Sequence, residues 1–141
     1  MKIFFDELRF SSKKGFELIA ITEGVKECVK KSGIKNGHAI VYTQHTTGSV
    51  RVSEDEISLH DDYAAFLDKL APRSGSYKHD ITNVDGRKNG HAHLQSMLLN
   101  SNETILIKDG KLLLGAWQTV FFIELDGPRP ERKVIIQVVG E

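Results

Sequence analysis

The chain has a single cysteine, Cys28, so no intrachain disulfide can form, and a reduced compartment is the default expectation. It has no excess of either charge: lysine plus arginine and aspartate plus glutamate both number 19. That balance gives no support for binding nucleic acid or an anionic membrane, both of which require a basic excess. Long apolar runs are missing as well. Nothing approaches the roughly 18 apolar residues of a membrane span. The apolar start at Ile3-Phe4-Phe5 is cut short by Asp6 and Glu7, unlike a secretory leader. A cytoplasmic protein with neither a nucleic-acid nor a membrane partner is expected. No internal repeat, low-complexity tract or linker interrupts the chain. No P-loop, nucleophile elbow, dinucleotide fingerprint or HExxH motif is present.

What is present suits one domain over residues 1–141: 40% of residues are hydrophobic and 27% charged, enough to bury a sizeable core. The pattern predicts strands over 2–11 and 16–21, joined through Ser12-Lys13-Lys14-Gly15 as a hairpin. Thr22 is the expected N-cap of a helix that buries Val25, Cys28 and Val29 and stops at Gly33. Strands over 39–43 and 49–53 follow, with His45 in the tight connection between them. Ser53-Glu54-Asp55-Glu56 has the form of a capping box. The helix it opens turns Ile57, Tyr63, Ala64, Leu67 and Leu70 inward and ends before Pro72. Residues 73–90 form a long polar segment, of the kind that is functional or mobile. A short helix carries Leu94, Met97 and Leu98. The last third reads as a strand over 104–108, an Asp109-Gly110 turn and one very long strand over 111–126 with a bulge or bend at Gly115. After a break at Gly127-Pro128-Arg129-Pro130, a strand over 133–139 closes the chain. The predicted class is α+β: packed, largely antiparallel β-sheets with about three helices.

Histidine is the commonest metal ligand and the usual acid–base group near neutral pH. Four of the six lie in polar, turn-like settings: His45, His79, and the pair His91 and His93 after Asn89-Gly90. Asn89 is a favoured N-cap, and the helix start it marks suits a phosphate or carboxylate, with Arg87, Lys88, His91 and His93 as added donors. An ordinary cap with surface histidines fits the same spacing. His45, His79 and His93 make a possible three-histidine metal set that leaves a position open to water or substrate. His60 and His38 are set aside, the first as a boundary residue and the second as a lone turn residue. On the long strand, alternation puts Gln118 and Glu124 on an apolar face. A buried amide or carboxylate there needs a partner, whether substrate, a histidine or backbone. A strand running from core to edge accounts for them equally.

His45-Thr46-Thr47, Tyr77-x-His79-Asp80 and Asn89-Gly90-His91-Ala92-His93-Leu94 are followed by Gly110-x-Leu112-x-Leu114-Gly115-x-Trp117-Gln118 and Glu124-x-Asp126-Gly127-Pro128-Arg129. In this order they resemble the YjbQ-like family, also called the secondary thiamine-phosphate synthase family, over nearly the whole chain. The resemblance implies an α+β fold, a homotrimer and a weak thiamine-phosphate synthase activity, which joins an aminopyrimidine-methyl diphosphate to a thiazole phosphate and releases diphosphate. The family's shared polar positions fall on His45, His79, Asn89, His93, Trp117, Gln118 and Glu124. Ala116 stands where the family has threonine, Ser53 where asparagine is usual, and Asn100 where glycine is common.

The expectation is therefore a small-molecule enzyme with a histidine-lined, metal-assisted site for a small phosphorylated or heterocyclic substrate. His45, His79 and His93 would hold a divalent ion, zinc or magnesium. His79, Gln118 and Glu124 are the catalytic candidates, with Glu124 orienting a histidine. Arg87, Asn89, His91 and Trp117 are the substrate-binding candidates. A metal-dependent hydrolase or phosphatase, and a non-catalytic trimeric ligand-binding protein, use the same groups.

Overall fold

A computed structural model describes residues 1–141. The elements run β1 (Lys2–Ser12), β2 (Glu17–Ala20), α1 (Thr22–Ser32), β3 (Gly37–Tyr42), β4 (Gly48–Glu54), α2 (Ile57–Leu70), α3 (His79–Thr82), α4 (Gly90–Leu98), β5 (Asn102–Lys108), β6 (Lys111–Leu112), β7 (Gln118–Glu124) and β8 (Arg129–Gly140). They build two sheets, one in the order β1-β8-β3-β5-β6 and the other β2-β7-β4. Every strand pairing is antiparallel. The class is thus α+β, as predicted, with one helix more than expected because α3 adds a single turn.

Two clusters hold these layers together. The larger lies between the sheets and under α1. It joins Val25, Cys28 and Val29 to Val41, Ile107, Val120, Phe122 and Ile136. The smaller covers the far side of the three-stranded sheet, where α2 supplies Leu67 and α4 supplies Ala92 against Phe121, Ile123 and Leu125. β7 is therefore buried on both faces over its middle, which explains its unbroken apolar run Val120-Phe121-Phe122-Ile123. Each such side chain contributes roughly 1.5–3 kcal/mol when fully buried.

Several local expectations are corrected. β1 and β2 are not a hairpin: β1 pairs with β8 and β2 with β7, in different sheets. The register slips between Phe10 and Ser12, and the chain crosses from one sheet to the other. Gly127 explains how closely that crossing packs, since a Cβ there would lie 2.0 Å from the Lys14 carbonyl oxygen. The α1 cap is Ile21 rather than Thr22, whose hydroxyl instead accepts the Val120 N–H at 2.9 Å. Gly33 does end α1, at φ 69°. The capping box does not form. Glu56 caps α2 by accepting the Leu59 N–H, and the Ser53 hydroxyl pairs with Tyr63. The long strand over 111–126 is broken into β6 and β7. At the bend, the Gly115 N–H donates to Gln118 Oε1 at 2.7 Å, so a side chain replaces the strand ladder.

Candidate functional site

The Gly127 break leaves Asp126 just past the end of β7, only 6% exposed. Three side chains converge on its carboxylate. Arg87 donates from Nε at 3.0 Å, Arg129 from Nη2 at 2.6 Å, and Asn89 from Nδ2 at 2.8 Å. Burial pushes the Asp126 carboxyl up, but these hydrogen bonds outweigh it and hold the group at about 2. The Asn89 amide nitrogen is thereby fixed toward Asp126, so its oxygen faces the other way. That oxygen meets His79 Nε2 at 2.8 Å. An amide oxygen only accepts, so Nε2 carries the proton and Nδ1 is left with the lone pair. Asn89 sits at the start of α4 as predicted, yet its side chain caps nothing. It links Asp126 to His79 instead.

The free amide at the start of α4 is also spoken for. Asp80, one residue along α3 from His79, accepts the Gly90 N–H at 2.8 Å. The helix start attracts an anion, as its dipole dictates, and the anion is the chain's own carboxylate. Arg87, expected to meet substrate, has both its Nε and its Nη2 engaged with Asp126.

His93 lies one turn into α4, its ring edge-on to His79 with centroids 4.6 Å apart. It also lines a groove of about 490 Å³ together with His45, Thr43, Gln44, Thr46 and Ser96. His45 and His93 thus border one groove, and His79 lies against His93. Their nitrogens do not make a three-histidine metal centre within one chain. His45 Nε2 accepts the Lys133 N–H at 3.0 Å, which places the remaining proton on Nδ1 and leaves no lone pair free. Burial, and next the Arg132 charge, push His45 below its usual range and favour this neutral form. No group of three histidine, cysteine, aspartate or glutamate side chains is close enough to hold an ion.

Glu124 is fully buried, and none of its hydrogen bonds goes to a histidine. It accepts from the Ser12 hydroxyl, the Asp126 N–H and both Nε and Nη2 of Arg132. Burial alone would raise its carboxyl, but Arg132 leads the groups that bring it below the usual range, so it stays ionised. Arg132 also reaches Thr47 and so ties β8 to the loop that carries His45. His91, a substrate-binding candidate, is instead 3% exposed, and neither ring nitrogen has a partner. Burial, and next the Arg73 charge, hold it below its usual range. An unmade buried hydrogen bond costs roughly 1–3 kcal/mol.

Trp117 and Gln118 are not part of this assembly. Trp117 is 76% exposed and Gln118 is exposed at the start of β7. Glu124 ends the same strand six residues later, roughly 20 Å away at 3.2–3.4 Å per residue. Sequence reasoning missed Asp126 as the organising group, and with it Arg129, Arg132 and Asp80. A signal for Asp126 was present: an acidic residue directly after an apolar strand and before Gly-Pro-Arg.

Comparison with known proteins agrees with the fold and the motif order. The family model described as "UPF0047 protein YjbQ-like" matches residues 6–141. A UPF0047 protein of Archaeoglobus fulgidus is 38% identical over 92% of this chain and 97% of its own. One from Methanothermobacter thermautotrophicus is 35% identical over 100% of this chain and 95% of its own. The crystal structure of a YbjQ-like protein of unknown function from Sulfolobus solfataricus superposes with a TM-score of 0.93 at 36% identity, covering 99% of both chains. One from Clostridium acetobutylicum gives 0.87 at 36%, over 95% of this chain and 99% of that one. With the match running from β1 to the last residue, at these identities and in the same fold, the chain belongs to the UPF0047 YjbQ-like family.

Proposed function

We propose that the chain is a small-molecule enzyme in which His79 moves a proton to or from a phosphorylated or heterocyclic substrate held in the groove beside His45 and His93. The observation that carries this reading is the hydrogen-bonded line from Asp126 through Asn89 to His79. It fixes an exposed imidazole through Nε2 and leaves the Nδ1 lone pair without a partner in the chain, the arrangement a general base requires. Asp80 offsets the surplus charge of the two arginines on Asp126, but Arg87 and Arg129 engage Asp126 only through Nε and Nη2, and their remaining N–H groups support binding of a phosphorylated group. Asn89 is on this reading a positioning residue rather than a contact to substrate.

Thiamine-phosphate synthase chemistry is the reaction that the family resemblance suggests. The thiazole nitrogen would displace diphosphate from the pyrimidine methylene with its own lone pair, so no base is needed there; His79 would give a proton to the departing diphosphate, and Arg87 and Arg129 would stabilise its charge. Purified protein with both precursors tests it. Product above a heat-killed control, falling about 10²–10⁴-fold in His79→Ala, supports the reading. No product in that assay overturns the synthase assignment. Turnover of generic phosphate esters instead would mark a hydrolase.

The metal-assisted form of the site and the homotrimer belong together. Of the three predicted ligands, one chain supplies only His79 and His93 with free lone pairs, so on this reading a third ligand comes from a second copy. Zinc or magnesium near one ion per chain by elemental analysis, in a particle with the mass of three chains, supports both. A metal-free monomer that still turns over substrate rules both out.

A further inference from the structure

A cavity of about 230 Å³ lies between α2, α4 and the outer face of the three-stranded sheet, and Asp68, Arg73, His91 and Gln95 supply its polar lining. Phe16, Ala64 and Leu125 supply the apolar part. Arg73 and Gln95 have hydrogen-bonding capacity that the chain leaves unused. His91 is 3% exposed and neither ring nitrogen is partnered, but both are closed off from the cavity, so the ring borders it without offering it a hydrogen bond. Arg73 takes part in none of the chain's ion pairs. Its backbone N–H donates to Asp68 Oδ1 at 3.0 Å, which sets the two side chains near each other without pairing their charges. Gln95 gives its amide N–H to the Ala71 carbonyl at 3.0 Å, and its own carbonyl oxygen is left over.

We propose that this cavity is a second small-molecule site, selective for a free α-amino acid with a small apolar side chain. The lining accounts for each part of such a ligand. Arg73 suits the carboxylate, in the charge-assisted geometry guanidinium groups favour. Asp68 and the Gln95 oxygen suit the ammonium. Phe16, Ala64 and Leu125 suit the side chain. Other ligand classes leave something unmet. A simple anion would face Asp68, a simple amine would face Arg73, and a purely apolar molecule would leave Arg73 and the Gln95 oxygen unpartnered. The volume agrees, because an engineered cavity of about 150 Å³ accepts benzene and this one is larger by a few methylene groups. The site is separate from the histidine groove and does not depend on the reaction proposed there.

Calorimetric titration of the full chain with L-valine, L-leucine, isovalerate and isobutylamine tests the proposal, with the His91 ring protons followed by NMR. Saturable binding of the two amino acids is expected, with the His91 resonances shifting and both one-headed compounds binding at least about tenfold more weakly. Arg73→Ala and Asp68→Asn, at the mouth rather than in the core, should each weaken valine binding about tenfold or more while melting as the parent does. The absence of heat and of any His91 shift up to about 10 mM ligand overturns the proposal. So does isovalerate binding as tightly as valine, or a folded Arg73→Ala chain that binds valine unchanged.

Discussion

The two ends of β7 are built in opposite ways. At its far end, Glu124 and then Asp126 are buried and hydrogen-bonded by three arginines, and the network runs out through Asn89 to an exposed His79. At its near end, Trp117 projects 76% exposed and Gln118 closes a local bend. The sequence makes both ends look alike, polar or aromatic residues inserted in an apolar run. The difference is one of accounting for charge. A buried carboxylate is tolerated only when partnered, so the far end needs the rest of the chain around it. An exposed indole needs no partner for the chain to fold. The far end is explained by the chain itself, whereas nothing in the chain's own packing calls for the indole at the near end.

The strongest test of that contrast is Glu124→Ala, which strands the Arg132 guanidinium in a site only 5% exposed. Removing one partner of a buried pair costs roughly 3–5 kcal/mol, a large share of a domain's stability. Urea unfolding should show a loss in that range. A loss below about 1 kcal/mol would mean that the far end is no better built than the near end. Arg132 also holds Thr47, so the variant should loosen the His45 loop as well.

The Asp126 half of the same end has an acid signature. Its carboxyl sits at about 2 in the fold against an ordinary value of 3.8. The folded value is the lower one, so the stabilisation is complete above about pH 4 and is lost as pH falls toward 2. The gap corresponds to roughly 2–3 kcal/mol. Unfolding free energies measured from pH 5 to pH 2 should fall more steeply for the parent than for Asp126→Asn. Parallel curves would show that Arg87, Asn89 and Arg129 do not stabilise the ionised form.

Between the ends, Thr22 lends its hydroxyl to the Val120 N–H. Thr22→Val keeps the shape and removes the acceptor, leaving a strand amide unpaired. A loss of about 1–2 kcal/mol is expected, and Thr22→Ser should recover most of it. A Thr22→Val chain as stable as the parent would show that water replaces the hydroxyl and that support from α1 stops short of β7.

Much of this architecture is visible in the sequence, and what is hidden shares a cause. α1 with its Gly33 stop, the Asp109-Gly110 turn and the antiparallel α+β class follow from local pattern, and all are found. Pairing partners are not local. Lys2 lies against Gly140, and no spacing rule connects them. The same holds for the site. His79, Asn89 and His93 were identifiable because each sits in a polar turn or helix start. Asp126 was not singled out, since its role depends on Arg87 and Asn89, 39 and 37 residues away. Gln118 and Glu124 fall on one face by alternation, yet alternation says nothing about how deep each end of a strand lies. One proved exposed and the other fully buried.

The smallest expected effect on stability belongs to Trp117→Ala. With three quarters of its surface in water, the indole contributes little to the isolated fold, and the change should stay within about 0.5 kcal/mol by urea unfolding at low protein concentration. The same substitution should act elsewhere. A large aromatic held out by a structured bend is the residue type that dominates contact surfaces, and its truncation there costs roughly 2 kcal/mol or more of binding. The expected result is a variant with parental stability whose mass in sedimentation, or affinity for a heterocyclic substrate, drops relative to the parent. A stability loss above about 1.5 kcal/mol would instead place Trp117 in the chain's own packing, and the contrast between the two ends of β7 would collapse.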